Sequence, residues 1–193
     1  MTTGRDRFIA IADEYRAIQK QADQLTAALT EEQARFRPSP TRWSIAECLL
    51  HLNTATKGYL ERLERACREA PLTETPPLQS TLFGRLFVWW MEPPARLKAP
   101  APKPFLPPQT SEPLAEILQT FRGMNDRLEL AAREAAQRDF TGVTISSPVS
   151  KKLRFAVSDT FAFIAAHERR HLWQAAKIRQ ALSSSSSASG PRF

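Results

Sequence analysis

Five consecutive residues, His167-Glu168-Arg169-Arg170-His171, carry most of the chemistry this chain can offer. They close a run from Val157 whose apolar residues recur at helical spacing. At ~100° per residue the two imidazoles lie about 40° apart on one helix face. That face continues through Thr160, Phe163, Ile164, Gln174 and Ile178, so both rings point toward a buried seam. The chain has 3 histidines, and the third, His51, belongs to another predicted helix far upstream. Neutral imidazole is a common transition-metal ligand, and an i, i+4 pair supplies two ligands from one helix. Two core histidines bonded to carbonyls would produce the same pattern, so the pair alone leaves both readings open.

The elements that must position these residues are amphipathic helices. Phe8, Ile11, Ala12, Tyr15, Ile18, Ala22, Leu25 and Leu29 form an apolar stripe that predicts a first helix over 5–29. Thr30 and Gln33 have capping-box spacing and predict a short helical turn ended by Pro38 and Pro40. Ser44 and Glu47 form a second capping box and open a helix to about Ala70. His51 lies at the edge of its apolar stripe, on a face with Ser44, Glu47, Ala55 and Gly58, mostly small residues that leave room for a ligand pocket. Residues 71–109 are dense in proline and predict extended structure, interrupted by a short helix in Leu82–Met91. That helix reads as an excursion packed on the outside, because ten residues broken by Arg85 cannot span a membrane. Ser111-Glu112-Pro113 caps a helix to about Gln137, Val143–Ser150 reads as an extended loop, and the last helix runs over 156–182 with Ser158 or Asp159 as cap. The serine-rich end, 183–193, reads as disordered. The fold class is therefore all-α, an antiparallel four-helix bundle in one domain over 1–182, with a Pro-rich insertion at 71–110 between its second and third long helices.

Composition narrows the partners. At 193 residues and 42% hydrophobic the chain can bury a sizeable core, and no apolar run approaches the ~18 residues of a span. The first residues lack the apolar core of a signal peptide, which places the protein in the cytoplasm with no membrane partner. Cys48 and Cys67 fall on one predicted helix, about 28 Å apart at 1.5 Å per residue, and read as reduced thiols. Cys48, one turn before His51, reads as a small core residue rather than a ligand. The net charge of +7 is scattered among acids on helix exteriors, and Lys151, Lys152 and Arg154 lack interleaved aromatics, so nucleic acid is not the expected partner.

Read literally, the five residues are H-E-x-x-H, the zinc-protease signature, with Glu168 as general base. A third protease ligand is missing: no Asp or Glu follows Glu168, and the longer motif would put Gln174 at its glycine and Lys177 at its last histidine. The alternative takes His51 as third ligand. The stretch Arg42-Trp43-Ser44-Ile45-Ala46-Glu47-Cys48-Leu49-Leu50-His51-Leu52, with the lead-in Thr30 to Pro40 and the late His167-x-x-x-His171 and Gln174, resembles the DinB/YfiT-like superfamily over about 5–182.

The resemblance implies a four-helix bundle, often a homodimer, with a divalent metal (Ni, Zn, Fe or Mn) held by three histidines, here His51, His167 and His171. It also implies a reaction class: the family includes transferases that use a low-molecular-weight thiol, an isomerase and a domain of sulfoxide synthases. The implied activity is a metal-dependent thiol S-transferase or a hydrolase acting on a small molecule. The alternative is a non-catalytic, dimeric binding or stress-associated bundle with a structural or vacant metal site. Three protein ligands with an open fourth position are the coordination of catalytic sites, and an open metal activates water or a thiol. Glu47 and Gln174 are candidates to support the ligands from behind; capping for Glu47 and an interhelical hydrogen bond for Gln174 are the competing roles. Arg170, ~60° from the His167 direction, could meet an anionic substrate or form a rim salt bridge.

Overall fold

The computed structural model describes residues 3–94 and 101–187 and is mostly helical. Four long helices, α1 (Gly4–Thr26), α3 (Ile45–Glu69), α5 (Leu114–Ala135) and α6 (Val157–Ser187), share one hydrophobic core. The capping boxes start the chain where the sequence places them. Thr30 and Gln33 open the short α2 (Glu31–Arg35), and Ser44 and Glu47 open α3. A further box, Thr3 with Asp6, opens α1. The whole predicted stripe of α1 is buried through Leu25. Its C-terminal carbonyls are satisfied from α6: the Arg179 guanidinium donates to the carbonyls of Gln24 (2.6 Å), Leu25 and Ala27 (3.0 Å).

Each long helix packs on two neighbours, α1 and α3 both meeting α5 and α6. The α1/α5 contact is antiparallel, with ion pairs Asp13–Arg133 at one end (2.8 Å) and Asp23–Arg122 at the other (2.7 Å). The α3/α6 contact is also antiparallel: His51 meets His167, and Tyr59 further along α3 meets Phe163, earlier on α6. The other two contacts are parallel. Asn53 donates to Ile117 O (3.0 Å) and Cys67 to Ala131 O (3.5 Å), so α3 and α5 run the same way. Arg169 pairs with Glu14 (2.7 Å) while Arg179 reaches residues 24–27, so α1 and α6 do too. Antiparallel neighbours throughout, as the sequence suggested, would need short connections. The long segment from Ala70 to Pro113 instead returns the chain to the end from which α3 began.

Three local expectations change. Residues 144–156 are not loop: Thr144–Ser147 (β1) and Ser150–Ala156 (β2) pair antiparallel around a Pro148-Val149 turn, with Ile145 and Phe155 buried. The β-branched run in 143–149 favours strand once Phe155 offers a core-facing partner. The start of α5 carries no side-chain cap of its own; Glu31 from α2 accepts from Leu114 N (2.8 Å) instead. The last helix continues to Ser187, five residues into the serine run, with Ser183 and Ser184 hydroxyls donating back to the carbonyls of Arg179 and Gln180. Residues 188–193 of the predicted tail, and 95–100 of the Pro-rich stretch, lie outside the described residues.

Within the described part of that stretch, α4 (Leu82–Met91) packs against α6. Its attachment reassigns both residues predicted to cap α6. The Ser158 hydroxyl donates to the Gln79 carbonyl, and the buried Asp159 carboxylate accepts from Ser80 Oγ (2.7 Å), Thr81 N (2.8 Å) and Thr81 Oγ1 (3.0 Å). Gly84 lets the helix come this close, since a Cβ there would stand 2.1 Å from Asp159 Oδ2. Alanine has the better helix propensity, by about 1 kcal/mol. Gly84→Ala should nevertheless lower the melting temperature and expose α4 to protease, because the clash is with a carboxylate already fixed by three hydrogen bonds. An equal or higher melting temperature, with unchanged cleavage, would mean that Asp159 does not anchor α4.

Candidate metal centre

The centre forms where the N-terminal turns of α3 meet the middle of α6. The capping box fixes the entry to α3: Glu47 N donates to Ser44 Oγ (3.2 Å) and Ser44 N to Glu47 Oε2 (2.8 Å). Trp43, the residue just before the cap, folds over two of the rings. Its ring lies 4.8 Å from that of His51 and is stacked on that of His171 at 5.7 Å. From α6, His167 and His171 project on one face as the i, i+4 spacing requires. Their centroids lie 4.7 Å apart, and His51 stands 5.0 Å from the first and 4.5 Å from the second. Phe163, one turn earlier, stacks on His167 at 5.9 Å. One ligating nitrogen from each histidine can be chosen so that all lie within 4.8 Å of one another.

These residues could hold a metal ion, and their hydrogen bonding says how well they fit. His51 Nδ1 stands 2.6 Å from the Phe105 carbonyl, which can only accept, so Nδ1 carries the proton and Nε2 presents a lone pair. That Nε2 faces His167 Nε2 at 3.1 Å. His171 Nδ1 is buried with no hydrogen-bond partner. A polar nitrogen left so, beside two others whose ring atoms converge, is what a missing electrophile would satisfy. Two ligands at about 2.1 Å from one tetrahedral ion lie about 3.4 Å apart, so the most distant pair must close by up to roughly 1.4 Å through side-chain rotation.

Electrostatics favours the ligating form. Burial lowers the pKa of His51 against the Phe105 bond, which raises it. Burial, with His171, His51 and Arg170 nearby, holds His167 well below the usual imidazole range. His171 is pushed down to about 3 by burial, then by His51 and Arg170, with Gln174 pulling the other way. All three rings are therefore neutral at neutral pH, as ligation requires.

The remaining candidates separate. Gln174 acts on the His171 ring and raises its pKa, against burial, His51 and Arg170. Glu47 acts elsewhere: its carboxylate accepts from Ser44 N and from the Arg37 guanidinium (2.8 Å to Nε), so the cap and Arg37 together account for both oxygens. Arg170 donates to the Trp90 carbonyl (3.3 Å) and lies over the Trp90 ring. Cys48 is a buried core thiol pushed up to about 12 by burial. Glu168, the would-be protease base, is not among the residues whose ligand atoms converge. It is fully buried, accepts from Thr56 Oγ1 (3.2 Å), and has a second oxygen without a donor, as does the buried Asn125 amide oxygen. Burial pushes its carboxyl up to about 8, against hydrogen bonds to Thr56 and Asn125.

Sequence reasoning missed the Phe105 carbonyl, the stacking of Trp43 and the aromatic floor at Phe163. Trp43 and Phe163 stood in the motif and on the face already singled out. A backbone carbonyl from a Pro-rich stretch has no signature of residue type. The open surroundings inferred from small neighbours of His51 are likewise absent: Trp43 and Phe105 fill them, and His51 is 2% exposed.

With this geometry in place, the family can be stated. The DinB superfamily model matches residues 14–175, and the chain belongs to that superfamily. No curated protein and no solved structure matches it.

The buried groups give the metal-free protein a defined pH response. Each ring has a folded pKa below its ordinary 6.5, so the unfolded chain binds more protons below that pH and stability falls as pH drops through it. Glu168 has the opposite sign. Its folded pKa of about 8 exceeds its ordinary 4.5, so its contribution is complete below 4.5 and is lost as pH rises toward 8. Melting temperature should therefore peak near pH 6.5, the ordinary imidazole pKa. Glu168→Gln should remove the loss on the alkaline side and keep the acid limb. An alkaline limb unchanged in the variant would show that the carboxyl is not buried.

Proposed function

We propose that this chain is a DinB-like metalloprotein, a four-helix bundle in one domain over 1–182, in which His51, His167 and His171 hold a divalent transition metal. The observation that carries this reading is the convergence of all 3 histidines of the sequence, from two separate helices, with their ring nitrogens within 4.8 Å. Imidazole donors suit Zn, Ni and Fe, with Mn the harder member of the family's range. Three protein ligands leave a coordination position for substrate. The activity that fits is a metal-dependent thiol S-transferase or a hydrolase, acting on a small molecule with a low-molecular-weight thiol or water as nucleophile. Bound there, a divalent metal would supply Lewis acidity and bring the pKa of a thiol or water toward neutrality.

The chain's own residues do the rest. The Phe105 carbonyl holds the His51 proton on Nδ1 and leaves Nε2 for ligation. Trp43 covers His51 and His171 and keeps water from those rings. His167 is the least buried of the three, so approach to the centre is from its side. A homodimer in the cytoplasm completes the reading on the family's pattern. A second reading, a non-catalytic module with a structural metal, draws support from the burial of His51 and His171, which narrows access.

Metal analysis of untagged protein and titration of variants test the site. His51→Ala should lower Zn or Ni affinity by well over tenfold, at least as much as the roughly 10–100-fold typical of losing a supporting contact. Glu168→Gln should leave affinity within a few-fold of wild type. Unchanged affinity in His51→Ala would remove the three-histidine site. Affinity kept in both His51→Ala and Glu168→Gln, with turnover lost only in Glu168→Gln, would restore the protease-like reading.

Saturating metal should also raise stability by about 2.7 kcal/mol at a hundredfold excess over Kd. That gain should persist below pH 6.5, because the folded rings stay neutral there. Coincident melting curves with and without Zn or Ni at pH 7.5, on verified metal-free protein, would exclude binding. Consumption of a low-molecular-weight thiol with an electrophile by the metal-loaded protein, lost in His51→Ala, separates the catalytic reading from the structural one.

A further inference from the structure

The most conspicuous surface of this molecule lies on α4. Its inner face is aromatic and well packed: Phe87 contacts Phe155 of β2 and Phe163 of α6, and Phe83 stacks on Phe155. Its outer face is apolar as well, with Leu82 at 82% exposure, Leu86 at 61%, Trp89 at 54% and Phe83 at 53%. Large apolar residues gathered on one short helix, rather than scattered singly, mark an interaction surface.

The charges within the two segments beside this stripe are basic, and the acids Glu92 and Asp159 lie just past their ends. Residues 75–91 contain Arg85 and no acid, and residues 140–158 contain Lys151, Lys152 and Arg154 and no acid. Arg85, Lys151, Lys152 and Arg154 are all exposed. Phe83 and Phe87 both contact Phe155 near the end of β2, so the hairpin adjoins the ridge there.

We propose that this face, Leu82, Phe83, Leu86 and Trp89 with the flanking cations, docks the protein on an anionic lipid surface, with α4 lying in the interface. A short helix with Leu, Phe and Trp on its outer side and basic residues beside it has the chemistry of an interfacial anchor. Trp in particular suits the headgroup boundary. A second copy of this chain is a poorer occupant, because a two-fold contact through α4 would bring two basic faces together. Four side chains on a ten-residue helix are also a small patch for a stable dimer, which buries about 800 Å² per partner. An acidic protein would match the charge, but this helix is a ridge rather than a groove and offers no pocket for a partner's anchor residue. No helix among the described residues is long and apolar enough to cross a membrane, and lying on one makes no such demand. The expectation of no membrane partner rested on the lack of a span, which this surface does not need.

Flotation of the full-length protein with vesicles tests the proposal. Phosphatidylcholine vesicles and vesicles of equal parts phosphatidylcholine and phosphatidylglycerol are compared at low and high salt. Binding to the anionic vesicles should exceed binding to the neutral ones and weaken with salt. Leu86→Glu should reduce it at least roughly tenfold, since it removes an inserted leucine and adds a repelled charge. Lys151→Glu with Lys152→Glu should reduce it mainly at low salt. All three sites are exposed, and unchanged melting curves confirm that the variants fold. Absence of anionic-vesicle binding by wild type overturns the proposal. Binding that Leu86→Glu leaves intact overturns the role of α4, since adsorption would then be by charge alone. Capture by polyglutamate without vesicle binding assigns the face to an acidic polypeptide instead. A dimer in solution that Leu86→Glu converts to monomer assigns it to a second copy. None of these outcomes depends on metal content, so failure here leaves the metal site standing.

Discussion

Desolvation of three imidazoles is the constraint around which this structure is arranged. In water each ring would titrate near 6.5; placed between α3 and α6, all three are held below it, with His171 down to about 3. Burying one histidine requires one hydrogen-bond partner. Burying three with their nitrogens converging requires that something draw on the lone pairs, or the cluster costs stability. The surrounding contacts keep the rings in place regardless: a tryptophan on one side, a phenylalanine on another, and a carbonyl that selects the tautomer of His51.

The burden falls chiefly on α6, whose consecutive residues serve different neighbours. His167 and His171 face α3, and Glu168 turns into the core toward Thr56 and Asn125. Arg169 reaches outward to Glu14 of α1 and Glu92 just beyond α4, and Arg170 to the Trp90 carbonyl. Four different partners within one turn and a half fix both the rotation and the axial position of α6. An i, i+4 pair aims two rings at one point only if the helix is held in this way.

What could be read in advance follows the range of each interaction. The caps at Thr30 and Ser44, the buried stripe of α1 and the His167/His171 pair all depend on residue type at short spacing within one helix or its cap. Bringing His51 to the pair needed the family resemblance, because no local rule joins α3 to α6. The hairpin at 144–156 depends on Phe155 finding Phe163 of the next helix and, far away in the chain, Phe83 and Phe87. The Asp159 side chain looked like a helix cap because its usual local acceptor role is strong; Ser80 and Thr81 supply better donors from another segment. The supplier of the α5 cap, Glu31, lies 83 residues before Leu114, and no spacing rule reaches that far.

The fate of Glu168 shows why a short motif does not carry its chemistry with it. A general base in H-E-x-x-H must stand beside the metal and be ionised near neutral pH, which needs solvent or cations around the carboxylate. Here the next turn of α3 places Thr56 against it and α5 places Asn125, so the carboxyl is sealed on the core side of α6 and its proton is retained up to about pH 8. A neutral carboxyl cannot take a proton from water. The same helix that satisfies the motif's spacing therefore spends its glutamate on the packing of three helices. The third ligand comes from upstream, from α3, and the element that lies against the pair decides which chemistry five identical letters perform.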